Sequence, residues 1–174
     1  MKSQGPDLFD KLRLPPELDS YLRATNPWWE GKPGRVLPPY RRWAFGVLLN
    51  KLRGDLAPAV VLRGARQVGK TTLQEQAIDH LVSTDGVEPR QILRVQFDEI
   101  PALTGLRQPL LAIADWYQNR ILRQTFNEAA HAGKPAYIFL DEAQNVADWA
   151  PQLKALVDHH TVREPLPEAS ALVN

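Results

Sequence analysis

The residues best equipped for chemistry are Gly64-Ala65-Arg66-Gln67-Val68-Gly69-Lys70-Thr71, which fit G-x-x-x-x-G-K-S/T at every fixed position. Glycine lets a backbone curl tightly, so that successive N–H groups point into one hollow and can cradle an anion. In such a loop the lysine reaches the β- and γ-phosphates and the hydroxyl of the last residue ligates Mg²⁺. A helix starting there adds its positive end. The expected ligand is a nucleoside triphosphate, ATP with Mg²⁺. The candidate binding set is Gly64, Ala65, Arg66, Gln67, Val68, Gly69, Lys70, Thr71 and Thr72, with Lys70 also serving the chemical step.

A second constellation is Asp141-Glu142, which closes the apolar run Tyr137-Ile138-Phe139-Leu140. An acid at a strand end is what phosphate-loop enzymes use to hold Mg²⁺. Asp141 is the candidate metal residue beside Thr71, acting through a bound water. Glu142 is the candidate base for an attacking water. Neighbouring side chains on a strand point to opposite faces, so both acids serve one site only if the chain turns after Asp141. The alternative is a pair of acids capping the next loop.

Weaker candidates surround these. Gln144 is a γ-phosphate sensor or a helix-entry residue. Asp98 and Glu99 end another apolar run and read as a solvated turn. His159 and His160 are adjacent on a helix and so do not face one metal. Arg41 and Arg42 precede an apolar stretch and either reach a phosphate or a neighbouring subunit, or lie on a solvated face.

These residues need elements to position them. Ala59–Arg63, Ile92–Phe97 and Ala136–Leu140 are short apolar runs that predict buried parallel strands. Helical spacing predicts helices over 16–23, 38–52, 70–82, 109–132 and 149–159, and Leu8, Phe9, Leu12 and Leu14 would line another. In the second, Trp43, Val47, Leu48 and Leu52 form the expected inner stripe. In the fourth, Leu110, Ile113, Ala114, Tyr117, Ile121, Leu122 and Phe126 do so, and in the last Leu153, Leu156 and Val157. Strands alternating with helices predict an α/β fold with a parallel sheet covered by helices. Residues 1–37 read as a Pro/Trp-rich, partly helical extension, 38–163 as the core and 164–174 as an irregular tail. Trp28-Trp29 either docks a partner or packs the extension onto the core, with packing the favoured reading.

The totals of the 174-residue chain set outer limits: 44% hydrophobic, 24% charged, formal net charge +1 and no cysteine. Disulfides, thiolate metal sites and thiol catalysis are excluded. The near-neutral charge does not indicate nucleic acid, and no apolar run has the length of a membrane span. A cytoplasmic protein is the default expectation, and a homo-oligomer or another protein is left open as partner.

With Arg63 to Leu73, Ile138 to Gln144 and Asp148-Trp149 in view, residues 36–162 resemble the prokaryotic AAA-like ATPases. The Arg-Gln-Val-Gly-Lys-Thr-Thr form is fairly characteristic, and Asn26-Pro27-Trp28-Trp29 resembles a leader found in some relatives. The resemblance implies a three-layer phosphate-loop core, nucleotide and metal on Lys70 and Thr71, Mg²⁺ on Asp141 and hydrolysis promoted by Glu142. Relatives continue into a further strand carrying a sensor residue, between the phosphate-loop and Asp141 strands. Here Pro165 and Pro167 argue against a central strand in the tail. The expectation is therefore a core incomplete at its C-terminus, with no sensor or arginine finger to assign. Function is expected to be ATP hydrolysis driving a conformational change, or nucleotide binding without turnover. A phosphotransferase and a DNA-translocating motor have less support.

Overall fold

The computed structural model describes residues 14–54, 59–65, 67–98, 100, 103 and 106–160, the last two of these as backbone. Expectations about 1–13, Arg66, Glu99 and the tail from 161 onward fall outside those residues.

The chain opens with α1 (Pro16–Thr25), which starts at a proline, the residue whose missing N–H costs nothing at that position. Leu18 and Leu22, one turn apart, are fully buried. A 3₁₀ turn, Pro27–Glu30, follows and is closed by Gly31 at φ 70°. The turn holds both tryptophans, and the packing alternative is the one observed. Trp28 Nε1 and Trp29 Nε1 both donate to the Ile92 carbonyl, at 3.1 and 2.7 Å.

Helix α2 (Trp43–Arg53) begins later than the spacing predicts. Gln76 Nε2 donates to the carbonyls of Pro38 (2.8 Å) and Tyr40 (2.9 Å), so these residues form a strap held by a neighbouring helix instead of a first turn. The inner stripe also shifts. Phe45, Leu48 and Leu49 are buried, whereas Trp43 is 84% and Val47 46% exposed.

Helix α3 (Lys70–Ser83) lies where expected and packs against α2. Strands β1 (Ile92–Gln96) and β2 (Tyr137–Asp141) pair in parallel, Ile92 opposite Tyr137 and Gln96 opposite Asp141. Alternation sends Leu93, Val95, Ile138 and Leu140 to one face, where α4 (Pro109–Tyr117) and α6 (Trp149–His160) supply Leu110, Ile113 and Leu156. Ile92 and Phe139 go to the other face, against Phe45, Leu48, Ala77, Ile78 and Leu81 of α2 and α3. Helices thus cover both faces of a small parallel sheet, and the α/β class holds. The full three-layer core is not present among the described residues.

The expected strand over Ala59–Arg63 is a correction. Residues 59–65 are irregular, Val61 is 62% exposed, and Val60 and Leu62 only partly pack against the α2–α3 core. An apolar run specifies burial, but a strand also needs a partner for its backbone. Among the described residues, no strand pairs with this segment.

The single helix expected over 109–132 is also corrected. α4 passes into a π turn, Gln118–Leu122, then Arg123 at φ 59°, and α5 (Phe126–His131) starts afresh. Thr125 and Glu128 make a reciprocal capping box: Glu128 N donates to Thr125 Oγ1 (3.1 Å), and Thr125 N to Glu128 Oε2 (2.7 Å). The Thr125 N–H, and after it the Thr125 hydroxyl (2.8 Å), donate to the Glu128 carboxyl and hold it below its ordinary range. Every residue of the expected inner stripe still faces inward, because Gln118 bridges the break through Phe126 N.

Candidate functional site

The site begins at the junction of α3 and β2. Parallel pairing with β1 sets the end of β2, where Phe97 N donates to the Asp141 carbonyl at 3.0 Å. On the adjoining helix, Gln74 Nε2 reaches the Leu140 carbonyl at 3.3 Å. Between these anchors the Thr71 hydroxyl donates to Asp141 Oδ2 at 2.6 Å. Asp141 is buried, at 3% exposure. The two residues expected to share a metal, far apart in sequence, are therefore in direct contact.

The loop before α3 carries the backbone freedom its glycines imply. Gly69 caps α3 at φ 87°, and a side chain on Gly64 would crowd Val68 Cγ2 at 3.2 Å. Gln67 takes φ 60° without being glycine, which costs roughly 1–2 kcal/mol. Such strain concentrates where a ligand-binding shape is held. Among the described residues no side chain caps α3, which suits its first N–H groups to an anion.

Cations already crowd this loop. Lys70 Nζ donates to the Gly64 and Ala65 carbonyls at 3.1 and 3.0 Å, folding across the hollow. From the strap, Arg42 Nη1 donates to the Val68 carbonyl at 2.6 Å. Arg42 stays exposed, as the solvated alternative expects, while its guanidinium meets the loop backbone. Arg41 instead lies over the Phe45 ring at 4.4 Å.

Behind Asp141 lies a second layer that sequence reasoning missed. Arg94 of β1 is buried, with Nη2 3.8 Å from Asp141 Oδ2 and Nη1 3.6 Å from Glu75 Oε1 of α3. Nη2 also donates to Gln96 Oε1 at 3.0 Å. Arg35 of the strap closes the chain, with Nε 2.5 Å from Glu75 Oε2 and Nη2 3.3 Å from Thr72 Oγ1. The available signal was an arginine within the apolar run Ile92-Leu93-Arg94-Val95, since a charge buried in a strand demands a partner.

Glu142 leaves the strand conformation at φ 53°, so the chain does turn after Asp141. Its carboxylate accepts a short hydrogen bond from Gln144 Nε2. Gln144 is exposed, and Asp98 sits in a surface turn, accepting from Gln96 Nε2 at 3.2 Å. Among the described residues, no three His, Asp or Glu side chains converge as a metal cage. Thr71 and Asp141 suit a Mg²⁺ ion that keeps several waters and shares phosphate oxygens.

A helix-covered parallel sheet, with a glycine-containing loop at a helix start and a buried acid at the adjoining strand end, defines an α/β domain. The AAA domain family matches residues 57–166, more than half of the chain, and the chain belongs to that family. At a coarse level this makes it a nucleotide-binding ATPase-type domain. No curated protein and no solved structure matches. The match starts after α1, the Trp turn and α2. No helix among the described residues is long and apolar enough to cross a membrane.

Proposed function

We propose that the chain binds ATP with Mg²⁺ at the Gly64–Thr72 loop and hydrolyses it to drive a conformational change. The observation that carries this reading is the 2.6 Å hydrogen bond from Thr71 to Asp141, which places a hydroxyl and a buried carboxylate together beside the uncapped start of α3. In this reading Lys70 exchanges the Gly64 and Ala65 carbonyls for phosphate oxygens, a charge-assisted contact stronger than the one it leaves. The loop N–H groups of Gly64, Ala65, Arg66, Gln67, Val68 and Gly69, with Thr72 beyond, complete the cradle. Thr71 and Asp141 would hold Mg²⁺, which supplies charge neutralisation at the phosphates when bound. Glu142 orients and deprotonates the attacking water.

A second reading, nucleotide binding without turnover, is favoured by one contact. The Gln144 amide holds one oxygen of the Glu142 carboxylate, so that base meets a water only through its other oxygen or by giving up the bond. A fluorescent-ATP titration with Mg²⁺, paired with phosphate release, tests both. Binding lost in Lys70→Ala, together with release abolished in Glu142→Gln, is the result expected for the first reading. Binding with no release from the unaltered chain would leave the second. No binding by the folded chain would end both.

A further inference from the structure

We propose that Arg94 is a positioning residue of the metal site, a buried cation that holds Asp141 while the site lacks Mg²⁺ and sets how tightly the ion binds. The inference rests on the nucleotide reading above and names a control that reading does not contain. Three observations carry it. Arg94 is 7% exposed, and its Nε has no hydrogen-bond partner in a buried environment, so its charge is not held there by solvation or full pairing. Its Nη2 faces Asp141 Oδ2, the same oxygen that accepts the Thr71 hydroxyl. Its other nitrogen faces Glu75, which Arg35 holds from the strap.

One cation is thus shared between two acids, 3.8 Å from the first and 3.6 Å from the second. A metal arriving at Thr71 and Asp141 must share the carboxylate with Arg94 and meets its repulsion. Glu75 draws the guanidinium the other way and so favours the metal. The arrangement keeps divalent-ion affinity low until nucleotide phosphates add their own oxygens. Arg35 links that setting to the strap, whose remaining side-chain bonds end on α3 and on the phosphate loop.

The test is Mn²⁺ binding followed by the loss of its free-ion paramagnetic signal. Protein is kept in excess over a non-hydrolysable ATP analogue. Arg94→Gln is expected to lower the half-saturating Mn²⁺ concentration by about tenfold, and Glu75→Gln to raise it by a similar factor. Arg94→Lys, which keeps the charge, should remain near the unaltered chain. The double variant Arg94→Gln/Glu75→Gln should resemble Arg94→Gln alone, because Glu75 acts through Arg94. A double variant that returns to the unaltered midpoint would show two independent charges and overturn the proposal. Unchanged or weakened metal binding in Arg94→Gln would overturn it as well. If that variant does not fold, Glu75→Gln and Arg94→Lys decide: the first must weaken the metal and the second must not. Analogue binding at saturating Mn²⁺ is the control. Its absence in the unaltered chain would sink the nucleotide reading itself and this inference with it, whereas binding with no opposed metal shifts would sink the inference alone.

Discussion

The two sides of this small sheet are treated very differently. Along β1, every backbone group pointing away from β2 that the N-terminal segment reaches is answered by a side chain. Ile92 O takes both tryptophan N–H groups, and Tyr21 Oη donates to Gln96 O at 2.9 Å. Asn26 acts as a one-residue strand: its amide donates to Arg94 O at 2.9 Å and its carbonyl accepts from Arg94 N at 2.6 Å. Asn26 itself is fully buried. On the other side, residues 59–65 form no strand, and the Gly64, Ala65 and Val68 carbonyls are held by the side chains of Lys70 and Arg42. An exposed sheet edge invites pairing with other chains, and here α1 and the Trp turn cover it. The lesson is a division of labour. Stability is concentrated where groups are buried and fully paired. The loop is held by exposed side-chain contacts, which the proposed function has a phosphate replace.

That contrast can be broken most sharply at its stable end. Trp29→Ala should cost about 3–5 kcal/mol in chemical denaturation, since it empties a site stacked on Tyr117 and Trp116 and removes a buried N–H donor. Asn26→Ala should follow at roughly 2–4 kcal/mol, because two β1 backbone groups lose their partners in the interior. A loss under about 1 kcal/mol for either would mean that the edge is not where stability resides.

The loop side should respond in binding, not in stability. Lys70→Ala should weaken ATP binding by about 10- to 100-fold, the value of a charge-assisted contact, while its unfolding free energy stays within about 0.5 kcal/mol of the unaltered chain. Arg42→Ala should weaken binding only a few-fold, because it frees the Val68 carbonyl without removing a phosphate donor of the motif. A larger loss for Arg42→Ala than for Lys70→Ala, read by the same titration, would make the strap a principal part of the nucleotide site.

The smallest expected effect is a pH dependence outside both regions. Asp85 accepts two hydrogen bonds from Arg53 at the far ends of α2 and α3, and they hold its carboxyl below the ordinary value of 3.8. A carboxylate depressed by folding stabilises the native state above its unfolded pKa and loses that contribution as pH falls through the folded value. The melting-temperature gap between the unaltered chain and Asp85→Asn should be full at neutral pH and shrink below pH 3.8. A gap that widens on acidification would reverse the assignment. Both side chains are partly exposed, so the gap should be small.

What was legible in the sequence was what short-range chemistry dictates. The order Gly64 to Thr71 matches a phosphate-loop pattern, which is read along the chain without any distant partner. The helices at Pro16, Lys70 and Trp149 and the strands at Ile92 and Tyr137 followed from periodicity, which is local. The break at Thr125 was also written locally, in Thr125 and Glu128, but a continuous apolar stripe over 109–132 concealed it.

Tertiary structure decided what depends on partners. It turned Phe45, not Trp43, inward, because Gln76 holds the strap that would have been the first turn of α2. It left Val60–Leu62 unpaired as strand, because an apolar run fixes the wish for burial and not the neighbour that completes a ladder. It set Arg94 between Asp141 and Glu75, a contact among three elements that no spacing along the chain encodes. Sequence alone thus named the groups proposed to meet phosphate. Which buried charges stand behind them followed only from bringing β1, β2 and α3 together, since Coulomb interactions depend on distance in space and not along the chain.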